Sequence, residues 1–169
     1  RSGKGVMSVG MSEPDAGASV TELKTNATAD GDDFLVNGSK VFGSTSAEAK
    51  LFLVYLRFGP GTDGIGSAIV EKGTAGFEIG PTYRYMNGEH WAPLYFQDCR
   101  IPKENILLGP GGFKKQISGF NIERLGNAAR AVALARKAFL EARDHAKTRR
   151  QFDLEICEFQ GFEWKFADV

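Results

Sequence analysis

The sequence GPGG at residues 109–112, followed by FKKQISGFNIERLGNAARAVALARKAFLEARDHA at residues 113–146, divides the chain into two patterns. After GPGG, apolar residues recur three to five positions apart, which marks one face of a long helix. That face consists of Ile117, Phe120, Leu125, Ala128, Val132, Ala135, Phe139, Ala142 and Ala146. Alanines dominate its middle, so a neighbouring helix can approach closely, and a second helix is predicted to begin near Glu155.

Before residue 109 the pattern consists of short apolar runs separated by turn residues. The clearest candidate strands are residues 6–11, 34–42, 51–58, 65–70, 77–79 and 93–96. Gly and Asp dominate the segments between them, and both residue types favour turns. The sequence therefore predicts an α+β chain, with an antiparallel β-sandwich or barrel-like domain at residues 1–108. The first helices of an antiparallel helical bundle are predicted to follow at residues 109–169.

Composition excludes several classes of protein. Lys and Arg together number 21, as do Asp and Glu together, so the net charge gives no attraction to nucleic acid or to an anionic membrane. The two cysteines, Cys99 and Cys157, lie in no paired motif, which predicts neither a disulfide framework nor a metal site and suits a reducing compartment. No apolar run approaches the roughly 20 residues that span a bilayer.

The two ends of the sequence predict that the chain is part of a longer protein. It opens on Arg1 without an initiator methionine, and its last residues, 166–169, have the pattern of a helix interrupted within its length.

Several short motifs occur in order along the chain. They are Met11-Ser12-Glu13-Pro14-Asp15-Ala16-Gly17, Leu23-Lys24-Thr25, Asn37-Gly38-Ser39-Lys40, the run FQDCRIPKEN at residues 96–105, Gly111-Gly112-Phe113, Arg149-Arg150-Gln151-Phe152 and Glu158-Phe159-Gln160-Gly161. Their order and spacing resemble those of the acyl-CoA dehydrogenase family over essentially the whole chain. The resemblance implies the middle β-domain and the start of the C-terminal helical domain of an enzyme that uses FAD.

The resemblance also implies residues that contact the flavin. It places Met11 and Ser12 at the edge of the ring, Phe42 as a flat plate against the isoalloxazine, and the Ser44 hydroxyl near the reactive ring nitrogen. Phe42 stands where the family usually has Trp, and Gly43 is a departure that is expected to leave room beside the ring. Without the family, Met11 and Ser12 are better explained as a strand end before a turn at Pro14, and Phe42 is equally well a core aromatic residue on a strand.

A further cofactor contact is implied near the end of the first long helix. Arg149, Gln151 and Phe152 match the segment that reaches the flavin of a neighbouring subunit in family tetramers, where an Arg suits the pyrophosphate. The resemblance thus implies a homo-oligomer, either a tetramer or a dimer. The alternative is a basic helix end that offsets the helix dipole. Asp153 replaces the usual Gly and would weaken a phosphate contact unless it points away.

The family reaction needs a carboxylate that removes the proton α to the thioester while flavin accepts hydride from the β-carbon. In isovaleryl- and long-chain-type enzymes this Glu precedes an Arg on the first long helix, a position that Glu123 occupies here before Arg124. Arg124 is expected near the CoA, and Phe120 and Asn127 are expected to line the acyl pocket. Alternatively, Glu123 is an ordinary surface residue and the base lies beyond residue 169.

The segment MNGEHWAP at residues 86–93 departs most from the family, so substrate contacts are not transferred to it. Such divergence suggests an unusual acyl group, branched or cyclic, and His90 is expected to be exposed on a loop.

The leading hypothesis is an acyl-CoA dehydrogenase of fatty acid β-oxidation that forms a trans-2-enoyl-CoA. It would pass electrons to an electron-transfer flavoprotein or similar acceptor, in the bacterial cytoplasm or the mitochondrial matrix, and the chain alone is expected to be inactive. The alternatives are an acyl-CoA oxidase, a desulfinase-like relative, or a non-catalytic acyl-CoA-binding module.

Overall fold

The computed structural model of the chain describes residues 5–168. Arg1 to Lys4 and Val169, at the two ends from which a longer protein was predicted, lie outside the described residues. Contacts divide the chain into two compact units, the first ending at Ser118 and the second beginning at Gly119. Within the described part of the chain, no helix combines the length and apolar character that crossing a membrane requires.

The first unit is built on an eight-stranded sheet and a separate two-stranded hairpin. The sheet contains β1 (Met7–Gly10), β2 (Asn26–Asp30), β3 (Asp33–Lys40), β4 (Leu51–Arg57), β5 (Ile65–Glu71), β6 (Phe77–Ile79), β9 (Leu94–Pro102) and β10 (Ile106–Leu108), and the hairpin contains β7 (Tyr83–Arg84) and β8 (His90–Trp91). The order in the sheet is β10-β5-β4-β2-β3-β9-β6, with β1 pairing with β4. The β1–β4 and β2–β4 pairs are parallel and the others are antiparallel.

The sheet curls around one apolar core. Phe52 on β4 and Phe77 on β6 lie four places apart in the strand order, yet their ring centroids are 4.9 Å apart. Phe77 also stacks on Phe96 of β9 at 5.0 Å. A flat sheet would keep β4 and β6 far apart, since neighbouring strands are spaced by roughly 4.8 Å. The predicted barrel-like fold and the α+β class are thus confirmed, but the sheet is mixed rather than wholly antiparallel, because β4 pairs in parallel with β1 and β2.

Strand β2 was missed from the sequence because the only apolar side chains in its residues, NATAD, are two small alanines, which give a weak alternation. Only Ala27 of this strand is buried. The strand forms because Gly31, at a φ of 64°, turns the chain so that Asp30 pairs with Asp33 and the hairpin aligns β2 on β3. Pairing with β3, rather than the pattern of its own residues, therefore determines that this segment forms a strand.

The helical region begins with α1 (Phe113–Ser118) and, after Gly119, continues as α2 (Phe120–Ala146). The predicted single helix is thus interrupted at Gly119. The sheet ends at Leu108, at the predicted change of pattern, but α1 contacts β5 and so belongs to the first compact unit.

In the second unit, α2 is followed by a hairpin of β11 (Arg150–Gln151) and β12 (Leu154–Glu155), and then by α3 (Gln160–Ala167). A short 3-10 turn with a capping box between Glu155 and Glu158 precedes α3. The helix expected near Glu155 therefore begins slightly later. α3 packs against α2 through Phe139 and Phe166, whose ring centroids are 5.5 Å apart.

Candidate functional site

A buried ion pair joins three of the sequence motifs in the first unit. Lys40 Nζ lies 2.7 Å from Glu13 Oε1, and their side chains are 1% and 6% exposed. The Glu13 carboxylate also accepts hydrogen bonds from the backbone N–H groups of Lys24 at 2.6 Å and Thr25 at 2.9 Å. One carboxylate thus fixes the MSEP, LKT and NGSK segments against each other.

The charges of this pair are set by burial and by its hydrogen bonds. Burial alone would raise the pKa of Glu13, but the bonds from Lys40, Thr25 and Lys24 outweigh it and hold that pKa below 4.5. Burial lowers the pKa of Lys40 to about 8, against the opposing effect of Glu13. Both groups are therefore charged at neutral pH.

The ion pair positions Met11 and Ser12, the two residues predicted at the flavin edge. Lys40 Nζ donates to the carbonyl of Met11 at 3.2 Å, and Val41 N donates to the carbonyl of Ser12 at 2.9 Å. Both side chains are partly exposed. Among the residues that the structure describes, the Ser12 hydroxyl has no hydrogen-bond partner, so it is available to a ligand.

Phe42 follows directly and presents its ring to solvent. It is 59% exposed and adopts a φ of 60°, in the left-handed region that bulky residues rarely occupy. It is thus not a core aromatic residue, which was the alternative to a ligand-facing plate. The Phe42 and Trp91 ring centroids are 4.6 Å apart, and the Tyr85 hydroxyl donates to the Phe42 carbonyl at 2.8 Å.

The loop after Phe42 packs closely against β1. The Ser44 carbonyl accepts a hydrogen bond from Ser8 Oγ at 2.9 Å, which ties the loop to β1. A Cβ at Gly43 would lie 3.0 Å from the carbonyl oxygen of Val9 and 3.1 Å from Ser8 Oγ. The glycine therefore allows the loop to approach β1 closely.

The β7–β8 hairpin supplies aromatic residues that sequence reasoning did not assign to the site. Trp91 stacks with Tyr83 and Tyr85 at centroid distances of 5.0 and 6.1 Å. A signal existed in the sequence, because aromatic residues flank an Asn87-Gly88 dipeptide, a strong hairpin indicator. His90 accepts a hydrogen bond from Arg84 Nε at 3.2 Å, so it is part of this hairpin and is 37% exposed rather than fully exposed.

In the second unit, the residues predicted for proton transfer and substrate binding lie on the first two turns of α2. Phe120, Glu123 and Asn127 are spaced three and four residues apart and so share one helix face. Glu123 and Asn127 are exposed and Phe120 is partly exposed. Arg124 lies beside this face, and its Nη1 donates to Asn121 Oδ1 at 2.9 Å.

The second predicted cofactor segment forms the tip of the β11–β12 hairpin. Phe152 and Asp153 have φ values of 52° and 63°, the combination of a two-residue type I′ turn. Asp tolerates this conformation, so it can stand where the family usually has Gly. Arg150 donates to the carbonyl of Asp153, and Phe152 projects with 89% of its surface exposed. Arg149 and Gln151 are exposed beside it.

The structure therefore gathers the predicted site residues in three places. Met11, Ser12, Phe42 and Ser44 lie together in the first unit. Phe120, Glu123, Arg124 and Asn127 share the start of α2, and Arg149, Gln151 and Phe152 lie on the following hairpin.

Comparison with known proteins covers nearly the whole chain. Residues 8–99 match the family described as "Acyl-CoA dehydrogenase, middle domain", and residues 110–169 match "Acyl-CoA dehydrogenase, C-terminal domain". The mitochondrial isobutyryl-CoA dehydrogenase of Dictyostelium discoideum is 35% identical over 94% of this chain and 39% of its own length. The short-chain specific acyl-CoA dehydrogenase of Clostridium acetobutylicum is 34% identical over 99% of this chain and 45% of its own length.

Solved structures give the same result. The butyryl-CoA dehydrogenase of Megasphaera elsdenii superposes with a TM-score of 0.84 at 33% identity, covering 97% of this chain and 44% of that one. A glutaryl-CoA dehydrogenase of Mycobacterium smegmatis in complex with FADH2 has a TM-score of 0.86 at 25% identity, covering 97% and 42%. The prolyl acyl carrier protein oxidase AnaB has a TM-score of 0.85 at 26% identity, covering 96% and 44%.

The chain thus spans less than half the length of these relatives. The middle-domain match covers more than half of its residues, and the C-terminal match covers most of the remainder. The chain belongs to the acyl-CoA dehydrogenase family.

Proposed function

We propose that this chain contributes the middle domain and the first C-terminal helices of an FAD-dependent acyl-CoA dehydrogenase, which converts an acyl-CoA to the trans-2-enoyl-CoA. The observation that carries the proposal is the cluster around Phe42. The Phe42 ring is exposed, and the residue before it, Val41, donates a backbone hydrogen bond to the carbonyl of Ser12.

The residues of the first unit fit a flavin. An exposed aromatic ring next to a free hydroxyl suits a flat heterocycle with polar edges. Ser12 would hold the edge of the ring through its hydroxyl and Met11 through its backbone, while Phe42 and Ser44 would contact its face and reactive side. When bound, FAD would supply the hydride acceptor for the β-carbon of the substrate.

Glu123 is proposed to take the α-proton, since its carboxylate stands free on the first turns of α2. Phe120 and Asn127 share its helix face and would border the acyl chain on either side of it. Arg124 lies off that face and would meet the CoA portion as a fixed positive charge. A carboxylate enclosed by substrate and protein becomes a stronger base, because burial disfavours the charged form.

Arg149, Gln151 and Phe152 are proposed to contact the cofactor of a neighbouring subunit. Phe152 is exposed at a tight turn, and Arg149 and Gln151 are exposed on the chain that leads into it, which supports this role. We therefore propose a homo-oligomer, a dimer or tetramer, and expect the 169-residue chain alone to bind FAD weakly and to be inactive.

An electron-transfer flavoprotein or similar acceptor is the proposed partner for reoxidation. A location in the bacterial cytoplasm or the mitochondrial matrix would bring the enzyme together with such an acceptor.

The test is an anaerobic titration of the full-length protein, with its FAD, against a panel of acyl-CoAs. Loss of the visible flavin absorption with one class of acyl-CoA supports the proposal and identifies the substrate class. Glu123→Gln should retain FAD, but its rate of flavin reduction should fall by about a hundredfold or more. That is the usual contribution of a positioned general base to the rate. Glu141→Gln, an exposed change on the same helix, is the matched control and should behave as wild type.

Reduction of the flavin by the Glu123→Gln variant at the wild-type rate would refute the assignment of the base. No reduction of bound FAD by any acyl-CoA would refute a dehydrogenase and favour a non-catalytic acyl-CoA-binding module or a desulfinase-like chemistry.

An oxidase is the second candidate function, favoured by the similarity to the AnaB oxidase. Mixing the reduced protein with oxygen separates the two. Reoxidation by oxygen as fast as turnover indicates an oxidase, and slow reoxidation indicates a dehydrogenase that needs a protein acceptor.

A further inference from the structure

The backbone of Phe42 is held in a conformation that it would not adopt by itself. A φ of 60° brings Cβ close to the backbone oxygen, and it is rare for a bulky aromatic residue. Such a conformation persists only where the surroundings impose it. The residues that impose it here come from the β7–β8 hairpin.

Several contacts connect the hairpin to this loop. The Tyr85 hydroxyl donates to the Phe42 carbonyl at 2.8 Å, and the Trp91 ring lies 4.6 Å from the Phe42 ring. Trp91 also forms a backbone bridge with Ser44, and Thr45 N donates to the His90 carbonyl at 3.0 Å. The hairpin therefore contacts Phe42 itself and two residues of the loop that follows it, Ser44 and Thr45.

The hairpin is itself made rigid by stacked rings. Tyr83 pairs with Trp91 across the two strands, and their rings stack at 5.0 Å with an angle of 26° between their planes. Tyr85 stacks on the same indole at 26°. Burial raises the pKa of Tyr85, so its hydroxyl remains a hydrogen-bond donor well into the alkaline range.

We propose that Trp91 and Tyr85 are positioning residues, which hold the Phe42 ring in place as the surface on which the flavin ring rests. This inference depends on the proposed function for the identity of the flat ligand. Neither residue is proposed to touch the flavin, since both act through Phe42. Trp91 supports the ring of Phe42, and Tyr85 fixes its backbone.

The test compares Trp91→Leu, Trp91→Phe and Tyr85→Phe in the full-length protein. Without the indole, Phe42 can relax from its strained conformation, and FAD then has to restore it on binding. We expect Trp91→Leu to weaken FAD binding about tenfold. This factor corresponds to the free energy of one aromatic pair together with the loss of preorganisation at Phe42. Trp91→Phe keeps a ring in place and should return binding to within about threefold of wild type. Tyr85→Phe removes only the hydroxyl and should weaken FAD binding about fivefold.

Spectroscopy separates positioning from general stability. The visible circular dichroism of bound flavin depends on the fixed orientation of its neighbours, so it should diminish in Trp91→Leu and Tyr85→Phe and recover in Trp91→Phe. Tyr95→Leu is the matched control, because Tyr95 is 46% exposed on β9 and belongs to the same unit but not to this cluster. It should leave both FAD affinity and the flavin spectrum unchanged.

The outcomes distinguish this inference from the proposed function. Wild-type FAD affinity and flavin spectrum in both Trp91→Leu and Tyr85→Phe would refute the positioning role and leave the dehydrogenase intact. A wild-type protein that binds no flavin would refute both. If Trp91→Leu fails to fold, Tyr85→Phe decides alone, because it removes one oxygen atom without opening a cavity.

Discussion

Replacing Glu13 by glutamine removes the charge at the centre of the buried ion pair while keeping the size of the side chain. The carboxylate accepts bonds from Lys40, from the N–H of Lys24 and from the N–H of Thr25. A glutamine amide offers one oxygen in place of two, and its NH2 group would face these donors. The variant therefore leaves Lys40 charged without a counterion, with a side chain that is 1% exposed.

The expected cost is large. Removing one partner of a buried ion pair typically costs about 3–5 kcal/mol, because the remaining charge stays desolvated. A domain of ordinary stability has about 5–15 kcal/mol in total. Glu13→Gln should therefore remove a substantial fraction of the stability of the first unit and lower its Tm by about 10 °C or more.

The chain contains a matched control for this experiment. Asp15 and Lys24 form an ion pair at 3.0 Å, close to the 2.7 Å of Glu13 and Lys40, but both its side chains are 73% exposed. Asp15→Asn should leave the unfolding curve unchanged, since water screens exposed pairs. Thermal and urea unfolding of the apo protein, followed by circular dichroism, measure both variants. If Glu13→Gln has the same unfolding midpoints as Asp15→Asn and wild type, the buried ion pair does not stabilise the first unit.

Two further predictions follow from the same region. Glu13 has a folded-state pKa below its unfolded value of 4.5, so its contribution to stability is present above pH 4.5 and is lost as the pH falls through the lower folded-state value. The stability gap between wild type and Glu13→Gln should thus narrow in acid in urea unfolding at several pH values, and a gap that stays constant would show that the carboxylate is not responsible. Gly43→Ala should destabilise the chain by about 1–3 kcal/mol, because its Cβ would meet the Val9 carbonyl and Ser8 Oγ at the limit of contact. Gly17→Ala, with open space around its Cβ, is the control, and equal unfolding midpoints for the two variants would contradict the close approach to β1.

Much of this protein could be predicted from its sequence. The change of apolar period after GPGG separated a sheet from helices, because strands and helices present side chains with periods of 2 and 3.6 residues. The ordered motifs identified the family, which the comparisons confirm. Glu13 and Lys40 lie within two of these motifs, but the motifs gave no indication that the two side chains form a pair.

Other features depended on the tertiary structure. Strand β2 has only the weak alternation of two alanines, and its hairpin pairing with β3 defines it. The supports of Phe42 come from Tyr85 and Trp91, more than forty residues further along the chain. The close contact of Gly43 with β1 also appears only in the folded chain.

The division between these two groups has a physical cause. Local sequence sets backbone preference and the alternation of apolar and polar side chains, so it determines the strands and helices whose own pattern is strong. It does not determine which loops meet when the sheet curls, because that depends on pairing between distant strands. The sequence by itself therefore determined the class and the family and predicted the residues for a flavin site, whereas only the folded chain decided that residues of a separate hairpin contact Phe42.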